Sequence, residues 1–533
     1  MGPAPVVIAG AGPVGLVTAL LLARWGVPTL VADARERRAG TGSRAICFQG
    51  DVLDVLERAG CAREMVAEGV TWTTGRTYYR EHELFTVSFP GYRGEGHPPW
   101  INISQDRVEE LLRARAAAEP LIDLRYDHPV TGYREDATGV QVVAGDSVIH
   151  GSHLVGADGG RSTVRDLAGI GFPGRSFDDR FLICDIRADL PFPSERRFYF
   201  DPPWNPGRQV LVHHCPGSVW RIDWQVPAGF DPAKADVHAM IRRITGDLPY
   251  EIVWLSVYRF QERVAAAFRR GRVFLAGDAA HLYAPFGARG LNSGVQDAEN
   301  LAWKLGLTRT GGAGGALLDA YEAERRAAAL VNLKVTGDTM EFLVPQNEER
   351  RAWRRSVLSR AVRDPGARRL IDSGRLAEPY WYTGSPLTTP AGEVPGEPGA
   401  DRPPVPGVIC PDGPAVVDGE RTRLRRLFGP AFTVLVARGD RAGAARQAAG
   451  HLSGVPARVY ALPDIDPGGV LSAALRASPD SVHLVRPDGH LAAVLPEFSA
   501  PALEAALARA AGRPGGDVAR MGEHGGHDAQ HPA

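Results

Sequence analysis

The sequence predicts an α/β chain of two or three domains: a parallel, doubly wound sheet, a mostly antiparallel sheet inserted into it, and a small α/β unit after it. Three observations carry this. Short apolar runs that end on glycine-bearing turns and lead into helical spacing occur at Val6–Ala9 and Val273–Ala276, the pattern of buried parallel strands. Between Phe172 and Phe260 the period changes to two, as in RRFYFDP, QVLVHHC and SVWRIDWQVP. Beyond Pro406, strand-like FTVLVARGD and ARVYAL alternate with helix-like AGAARQAAGHL. At 533 residues the chain is too long for one ordinary core.

The N-terminal stretch VVIAGAGPVGLVTALLLARWGVPTLVADAR places a strand at Val6–Ala9, a helix from about Pro13 to Trp25 and a second strand at Thr29–Ala32. Between them stands Gly10-x-Gly12-x-x-Gly15. In a dinucleotide fold the first glycine serves the tight turn, the second the backbone approach to a pyrophosphate, and the third helix–strand packing. Asp33 ends the second strand, where a carboxylate can hold a ribose hydroxyl. With strand, helix and acid in place, a bound adenine dinucleotide is expected.

Arg44 enters the segment AICFQGDVLDVLERAG, read as helical, and is a candidate for a phosphate or flavin contact, or else a solvated arginine at a helix start. A Gly- and Pro-rich break is expected at His82–Pro99, with a strand pair around Thr71–Phe89. INISQDRVEELLRARAA then gives a strand and a helix capped near Ser104 or Asp106, with Gln105 where the strand end would face the nucleotide. A further apolar strand, His153–Val155, ends in Gly156-Ala157-Asp158-Gly159, which could bring backbone and carboxylate to the same ligand or be a plain Asp-Gly turn. In the inserted sheet, Val219, Arg221, Asp223 and Gln225 oppose Trp220, Ile222, Trp224 and Val226. One polar and one aromatic face result, and the apolar face is the expected roof of a pocket, with Trp224 and His213 as candidate substrate contacts.

The stretch VFLAGDAAHLYAPFGARGLNSGVQDAENLAWKL organises the rest. Its strand ends at Gly277-Asp278, its loop holds Pro285, Gly287 and Gly290, and its helix repeats Leu291, Val295, Ala298, Leu301, Ala302 and Leu305 on one face. Asn292, Gln296, Asp297 and Glu299 fall on other faces. A loop that delivers a strand into a helix N-terminus leaves N–H groups unpaired at the positive end of the dipole, a place suited to a delocalised anion. Asp278 could also accept from a polyol. After the long helix LLDAYEAERRAAALVNLKVTGDTMEFL, the basic run Glu349–Arg369 reads as a solvated helical face. Glu378–Pro406 reads as a linker, and Gly512–Ala533 as a disordered Gly- and His-rich tail.

Composition narrows the function. A net charge of −1 and a pI near 7 give no field that would draw nucleic acid or an anionic membrane. Val6–Ala23 is apolar, but Gly10, Gly12, Pro13 and Gly15 break it and no basic segment precedes it, so neither a signal peptide nor a membrane span is expected. Cys47, Cys61, Cys184, Cys215 and Cys410 include no pair two residues apart, which argues against zinc, thioredoxin-type or disulfide frameworks and for a reducing cytoplasm. No metal is expected.

Taken in order, Gly10-x-Gly12-x-x-Gly15, Gly156-Ala157-Asp158-Gly159, and Gly277-Asp278-Ala279-Ala280-His281 with Pro285 and Gly290-Leu291-Asn292 resemble the class A flavoprotein aromatic monooxygenases. The terminal unit, marked by VRPDG at Val485–Gly489, resembles the thioredoxin-like domain of the phenol and polyketide hydroxylase branch without its redox cysteines. Many relatives carry Gly-Gly-Gln-Gly-Met-Asn where this chain has Gly287-Ala288-Arg289-Gly290-Leu291-Asn292.

The resemblance implies a Rossmann-like FAD-binding domain (1–75, 100–175 and 265–345) with an inserted substrate-binding sheet (76–99 and 176–264). A helical segment and linker (346–405) and a thioredoxin-like domain (406–511) follow. It further implies FAD with Asp33 at the adenosine ribose, Asp278 at the ribityl chain, the Leu291 and Asn292 amides at the flavin pyrimidine, and the Pro285 carbonyl as a backbone contact. NAD(P)H would bind transiently, since no second GxGxxG stands in strand–helix context, and with O₂ would support hydroxylation of a phenolic or polycyclic aromatic through a flavin C4a-hydroperoxide. A homodimer is compatible with this. Two other readings compete: a flavin-dependent halogenase, suggested by Trp-x-Trp near Trp220–Pro227 but opposed by the absence of lysine before Lys234, and a flavin-binding accessory protein of a biosynthetic pathway.

Overall fold

A computed structural model describes residues 4–36, 45–89, 96–390 and 402–513. The chain forms two compact units: Met1–Ala23, Pro28–Glu299 and Arg325–Ala377 make the first, and Arg24–Val27, Asn300–Glu324 and Glu378–Ala533 the second.

In the first unit, a six-stranded sheet runs in the order Arg269–Arg270, Val273–Leu275, His153–Gly156, Val6–Ala9, Thr29–Ala32, Ile122–Arg125. All neighbours are parallel except the first pair. VVIA, TLVA and HLVG are buried along their whole length, which fits strands covered on both faces. The register pairs Ala9 with Ala32 and Gly156, and Gly156 with Leu275. The carboxyl ends of these strands therefore share one edge, from which the Gly10, Asp33, Asp158 and Gly277 turns emerge, and that edge is where open α/β sheets bind ligands.

Two glycines there are dictated by close approach. Gly10 has φ +105°, and a Cβ on it would lie 2.4 Å from the Ala157 carbonyl oxygen. A Cβ on Gly15 would lie 2.0 Å from the Gly10 carbonyl oxygen, which fixes how tightly the helix Pro13–Arg24 seats on its turn.

The second sheet has eight strands, in the order His281–Leu282, Glu251–Val264, Gly174–Arg187, Val219–Val226, Gln209–Cys215, Arg196–Phe200, Thr74–Tyr79, His82–Ser88. Its pairings are antiparallel except between Arg196–Phe200 and Thr74–Tyr79. The two faces of Val219–Val226 are as the alternation predicts, but their uses are reversed. Trp220, Ile222 and Trp224 pack with Val237 and Ile241 of the amphipathic helix Val237–Thr245, so the aromatic face is structural core. Trp224 meets Trp204 edge-on at 5.1 Å and does not line the cavity described below, which corrects its expected substrate contact. The polar face, with Arg221 and Asp223, fronts the cavity instead.

Two further expectations are corrected. Ahead of the helix Gly50–Arg58, Cys47–Gln49 is a strand paired with Trp100–Asn102, not helix. The stretch read as a linker buries Trp381, Tyr382 and Leu387, and the Thr389 N–H donates to the Ala492 carbonyl at 2.8 Å.

In the second unit, four strands run in the order Ala457–Ala461, Phe432–Val436, Val482–Val485, Leu491–Leu495. The first pair is parallel and the others antiparallel, with the helices Ala442–Gly450 and Ala500–Ala510 packed on them in a thioredoxin-like arrangement. A buried charge network joins this sheet to other parts of the same unit. Arg486 donates to Glu324 at 2.5 and 2.9 Å, Lys304 Nζ donates to Glu324 at 2.7 Å, and Trp303 Nε1 donates to Asp488 at 3.0 Å. Burial lowers the Lys304 amine to about 8 against the pull of Glu324.

Because Trp224 is core, Trp224→Ala should cost about 3–5 kcal/mol of stability. Denaturant unfolding followed by tryptophan fluorescence and by circular dichroism should show the same loss.

Candidate active site

The strand Val273–Leu275 passes into a tight turn at Gly277–Ala279, then through the short strand His281–Leu282 to the helix Arg289–Arg309. Gly277 has φ +62°, and a Cβ on it would meet Val14 Cγ2 at 2.8 Å. What holds this turn is Asp297, fully buried on the first half of the helix. Its Oδ2 accepts from the Gly277 N–H at 3.0 Å and pairs with His281 Nε2 at 2.7 Å, and its Oδ1 accepts from Arg325 Nε at 2.6 Å. Arg325 also donates to the carbonyl and hydroxyl of Ser293, both at 3.1 Å. Burial works against the Asp297 charge, yet His281 and Arg325 hold its carboxyl below the ordinary 3.8.

The loop before the helix is braced from a distant part of the same unit. The Ala377 N–H donates to the Gly287 carbonyl at 2.8 Å, and Arg289 donates to the Arg375 and Leu376 carbonyls at 3.0 and 3.1 Å. A Cβ on Gly287, which has φ +86°, would sit 2.1 Å from the Arg375 carbonyl oxygen. Arg289, one of three departures from the Gly-Gly-Gln-Gly-Met-Asn pattern, thus acts as a tie at the helix start and is buried. Asn292 is a brace too: its Nδ2 donates to the Cys47 and Ala288 carbonyls at 3.0 and 2.6 Å, and its Oδ1 accepts from the Gln49 N–H at 3.2 Å. With Arg289 the first residue of the helix, the N–H groups of Gly290, Leu291 and Asn292 have no acceptor within it.

These groups line a cavity of about 680 Å³. At one end are Gly10, Gly12, Pro13, Asp33, Gln105, Asp158 and Gly159, with the Arg35 and Arg161 side chains. In the middle lie Asp278, Pro285, Gly290, Leu291 and Asn292. The far end is walled by the eight-stranded sheet through Phe181, Ile183, Leu211, His213, Arg221, Asp223, Tyr258 and Phe260. Gly15, Gly277 and Gly287 are packing positions behind the lining. Arg44 lies outside the described residues.

The individual chemistry is uneven. Asp33 accepts from the Ala11 N–H at 2.7 Å and from Arg35 through its N–H at 2.8 Å and its guanidinium at 3.0 Å. Burial would raise its pKa, but the bonds from Arg35 and Ala11 win and lower it, so the carboxylate is ionised where a ribose would lie. Gln105 opens the helix Gln105–Ala118, accepting from the Ala45 N–H at 3.2 Å. The Asp158 carboxylate is taken up locally, by the Ser162 hydroxyl at 2.5 Å and the Val164 N–H at 3.1 Å, so its part is to shape the turn. The Pro285 carbonyl accepts from the Ala288 N–H at 3.1 Å. Asp278 is exposed while its neighbours Gly277 and Ala279 are buried, so it projects into the open space. His213 is 5% exposed, its imidazole pushed down to about 3 by burial beside Arg196 and Arg221, and is therefore neutral.

The donor set fits FAD. Beyond Gly12, Gly159 and Gly290 a Cβ would meet nothing within 4 Å, so the backbone stands bare at three points along the cavity. Bare N–H groups at helix starts suit the pyrophosphate and the anionic edge of a reduced flavin, and carboxylates at Asp33 and Asp278 suit ribose and ribityl hydroxyls. Sequence reasoning had these groups but gave no role to Asp297, Arg325, Asp223 or Arg221, which pairs with Asp185 at 2.7 and 2.8 Å. The one available signal was Gly294 one turn before Asp297: its small side is required because a Cβ would lie 2.7 Å from Val14 Cγ2 and 3.2 Å from Gly277 Cα.

Fold and site together define a flavoprotein with a second, sheet-walled compartment beside the flavin site. Residues 3–335 match the FAD binding domain family, and residues 403–514 match the C-terminal family of aromatic-ring hydroxylases. The chain is 32% identical over 373 residues to a 3-(3-hydroxy-phenyl)propionate/3-hydroxycinnamic acid hydroxylase of Mycobacterium sp. (strain JLS), covering 69% of this chain but only 65% of that protein. It is also 32% identical over 506 residues to the 12-dehydrotetracycline 5-monooxygenase/anhydrotetracycline 6-monooxygenase of Streptomyces rimosus, covering 91% of this chain and 94% of the relative. Among solved structures it resembles aklavinone-11 hydroxylase in complex with FAD and aklavinone, with a TM-score of 0.78, 26% identity, and coverage of 96% and 100% of the two chains. The chain belongs to the FAD-dependent aromatic-ring hydroxylases, and its cofactor is FAD.

Two outcomes follow for the clamp and for the polyol contact. Asp297→Asn leaves the Arg325 guanidinium buried without its counter-charge and should cost about 3–5 kcal/mol, read as a lower unfolding midpoint. Because the folded pKa of Asp297 is lowered, its stabilisation is complete above 3.8 and is lost as pH falls through the folded value; the acid limb of a stability–pH curve should flatten in the variant. Asp278→Ala should release FAD on gel filtration under conditions where the parent protein stays yellow.

Proposed function

We propose that the protein is a cytoplasmic NAD(P)H- and O₂-dependent monooxygenase that hydroxylates a hydroxylated, fused-ring aromatic of the natural-product type. The observation that carries this is the continuity of one cavity, from the bare backbone at Gly12 and Gly290 to the aromatic and polar wall of the inserted sheet. Bound FAD supplies the transfer of electrons from nicotinamide and the activation of oxygen.

The residues do the rest. Gly290–Asn292 present N–H groups and the positive helix end to negative charge on the pyrimidine edge. Phe181, Phe260 and Leu211 supply an apolar wall against which a flat ring can lie, and the short loop at Pro285–Ala288 helps to keep water from the reacting centre. Such chemistry asks for no nucleophilic triad. The relatives named for tetracycline and aklavinone chemistry support the fused-ring class, and the match to the first of these spans nearly the whole chain. All five cysteines are free and buried, in keeping with a reducing compartment.

Under ¹⁸O₂ with NADPH or NADH, incubation with hydroxylated anthraquinones, anhydrotetracycline and simple phenols should give a product one ¹⁸O heavier, with cofactor oxidation accelerated by the aromatic. Tight FAD retention without acceleration by any aromatic would count for an accessory flavoprotein.

A further inference from the structure

The polar wall of the cavity carries one carboxylate that the fold itself leaves unused. Asp223 stands on Val219–Val226 between Arg221 and Gln225, opposite Ile183 on one neighbouring strand and Leu211 on the other. Both polar neighbours are committed. Arg221 gives Nε and a terminal nitrogen to Asp185 at 2.7 and 2.8 Å, and Gln225 gives Nε2 to Asp179 at 2.5 Å and accepts the Gln209 N–H at 3.2 Å. Asp223 Oδ1, by contrast, is shielded and has no hydrogen-bond partner among the described residues. The residue is half-buried and lines the cavity, so its remaining exposure is to that space.

One guanidinium therefore faces two carboxylates, and the one it does not pair with is Asp223. An unpaired carboxylate in such a place costs free energy until a donor arrives. The groups around it do not fill that role. Arg221 is taken by Asp185. His213, opposite Arg221, is neutral and faces two arginines. Cys47, 4.0 Å from His213 Nδ1, is held protonated by burial, at about 12, and gives its thiol to Asn102 at 3.1 Å. Tyr258 lines the cavity from the strand Glu251–Val264. Burial, opposed by Arg221 and aided by Asp185, lifts the Asp223 carboxyl to about 7, near the working range of a general base.

We propose that Asp223 accepts the hydrogen bond, and then the proton, of a hydroxyl on the aromatic substrate. This rests on the hydroxylase reading above and adds to it the group that selects and activates the ring. The hydroxyl O–H bond breaks, an O–H bond forms on a carboxylate oxygen of Asp223, and the electron pair stays on the aryl oxygen. The ring thereby gains electron density for attack on an electrophilic oxygen atom. The proton returns to solvent when product leaves. Arg221 is a positioning residue here: held by Asp185, it keeps positive charge beside both the carboxylate and the nascent aryl oxide.

The test uses the FAD-loaded full chain and Asp223→Asn. The probes are 1-hydroxyanthraquinone and 3-(3-hydroxyphenyl)propionate, each beside its O-methyl ether. Binding is followed by flavin difference spectra, and aromatic-stimulated NAD(P)H oxidation across pH 5–9. The parent protein should prefer the hydroxyl form over the ether by about tenfold or more, the scale of a hydrogen bond to a charged group. In the variant that preference should collapse, and the rise of stimulated oxidation through about pH 7 should vanish while flavin content and melting temperature hold. A loaded variant with the parent's preference and pH profile would overturn the assignment and leave the hydroxylase reading intact. A variant that loses flavin or folding would mark Asp223 as structural and overturn it too. If the parent takes neither hydroxyl form nor ether, the substrate class itself falls, and the proposal falls with it.

Discussion

The site depends on one carboxylate that no ligand touches. Asp297 is buried without exposure and takes a backbone amide, an imidazole and a guanidinium from three different segments of the first unit. Buried ion pairs are poor evidence of net stability, since desolvation offsets most of the attraction, but they are stringent about geometry. If the helix were to slide or rotate, at least one of these donors would be left unsatisfied. The Gly277 turn, His281 and the start of the helix are therefore fixed together, and Asp278 and the amides at Gly290–Asn292 inherit their placement from that fixture. Pre-set donors need no reorganisation when charge develops on a ligand.

The inserted sheet shows how alternation states that two faces differ without stating which faces what. Trp220, Ile222 and Trp224 meet the requirement for burial by accepting the amphipathic helix Val237–Thr245. The polar face is then left for the cavity, where water or a ligand must satisfy it. A tryptophan-rich strand thus belongs to the scaffold, and the charged residues between the tryptophans face the cavity. The general rule that aromatic stripes are core applied here against the expectation of a substrate-facing roof.

Much of the fold was legible because its signals are local. The Gly10–Gly15 turn, the strand into Gly277-Asp278 and the helix after Gly290 each announce themselves within about a dozen residues, as runs, breakers and periods do. What the sequence concealed is long-range. Asn292 bonds to Cys47 across 245 positions, and Arg325 reaches Asp297 across 28, and no spacing rule connects either pair. The short strand Cys47–Gln49 went unread because its pairing comes wholly from Trp100–Asn102 and its composition suits a helix entry equally well. Glu378–Pro406 looked like linker by its proline and glycine content, yet Trp381, Tyr382 and Leu387 within it are core residues.

The salt network of the second unit bears on where the chain could be cut. Arg486 and Asp488 belong to the thioredoxin-like sheet region, but their partners Glu324 and Trp303 come from two helices far upstream in sequence and inside the same unit. A fragment begun at the apparent sequence boundary near residue 406 would keep the guanidinium and lose the glutamate that engages it twice. The compact unit is therefore discontinuous in sequence, and a terminal cassette cut there would carry a buried guanidinium stripped of its counter-charge.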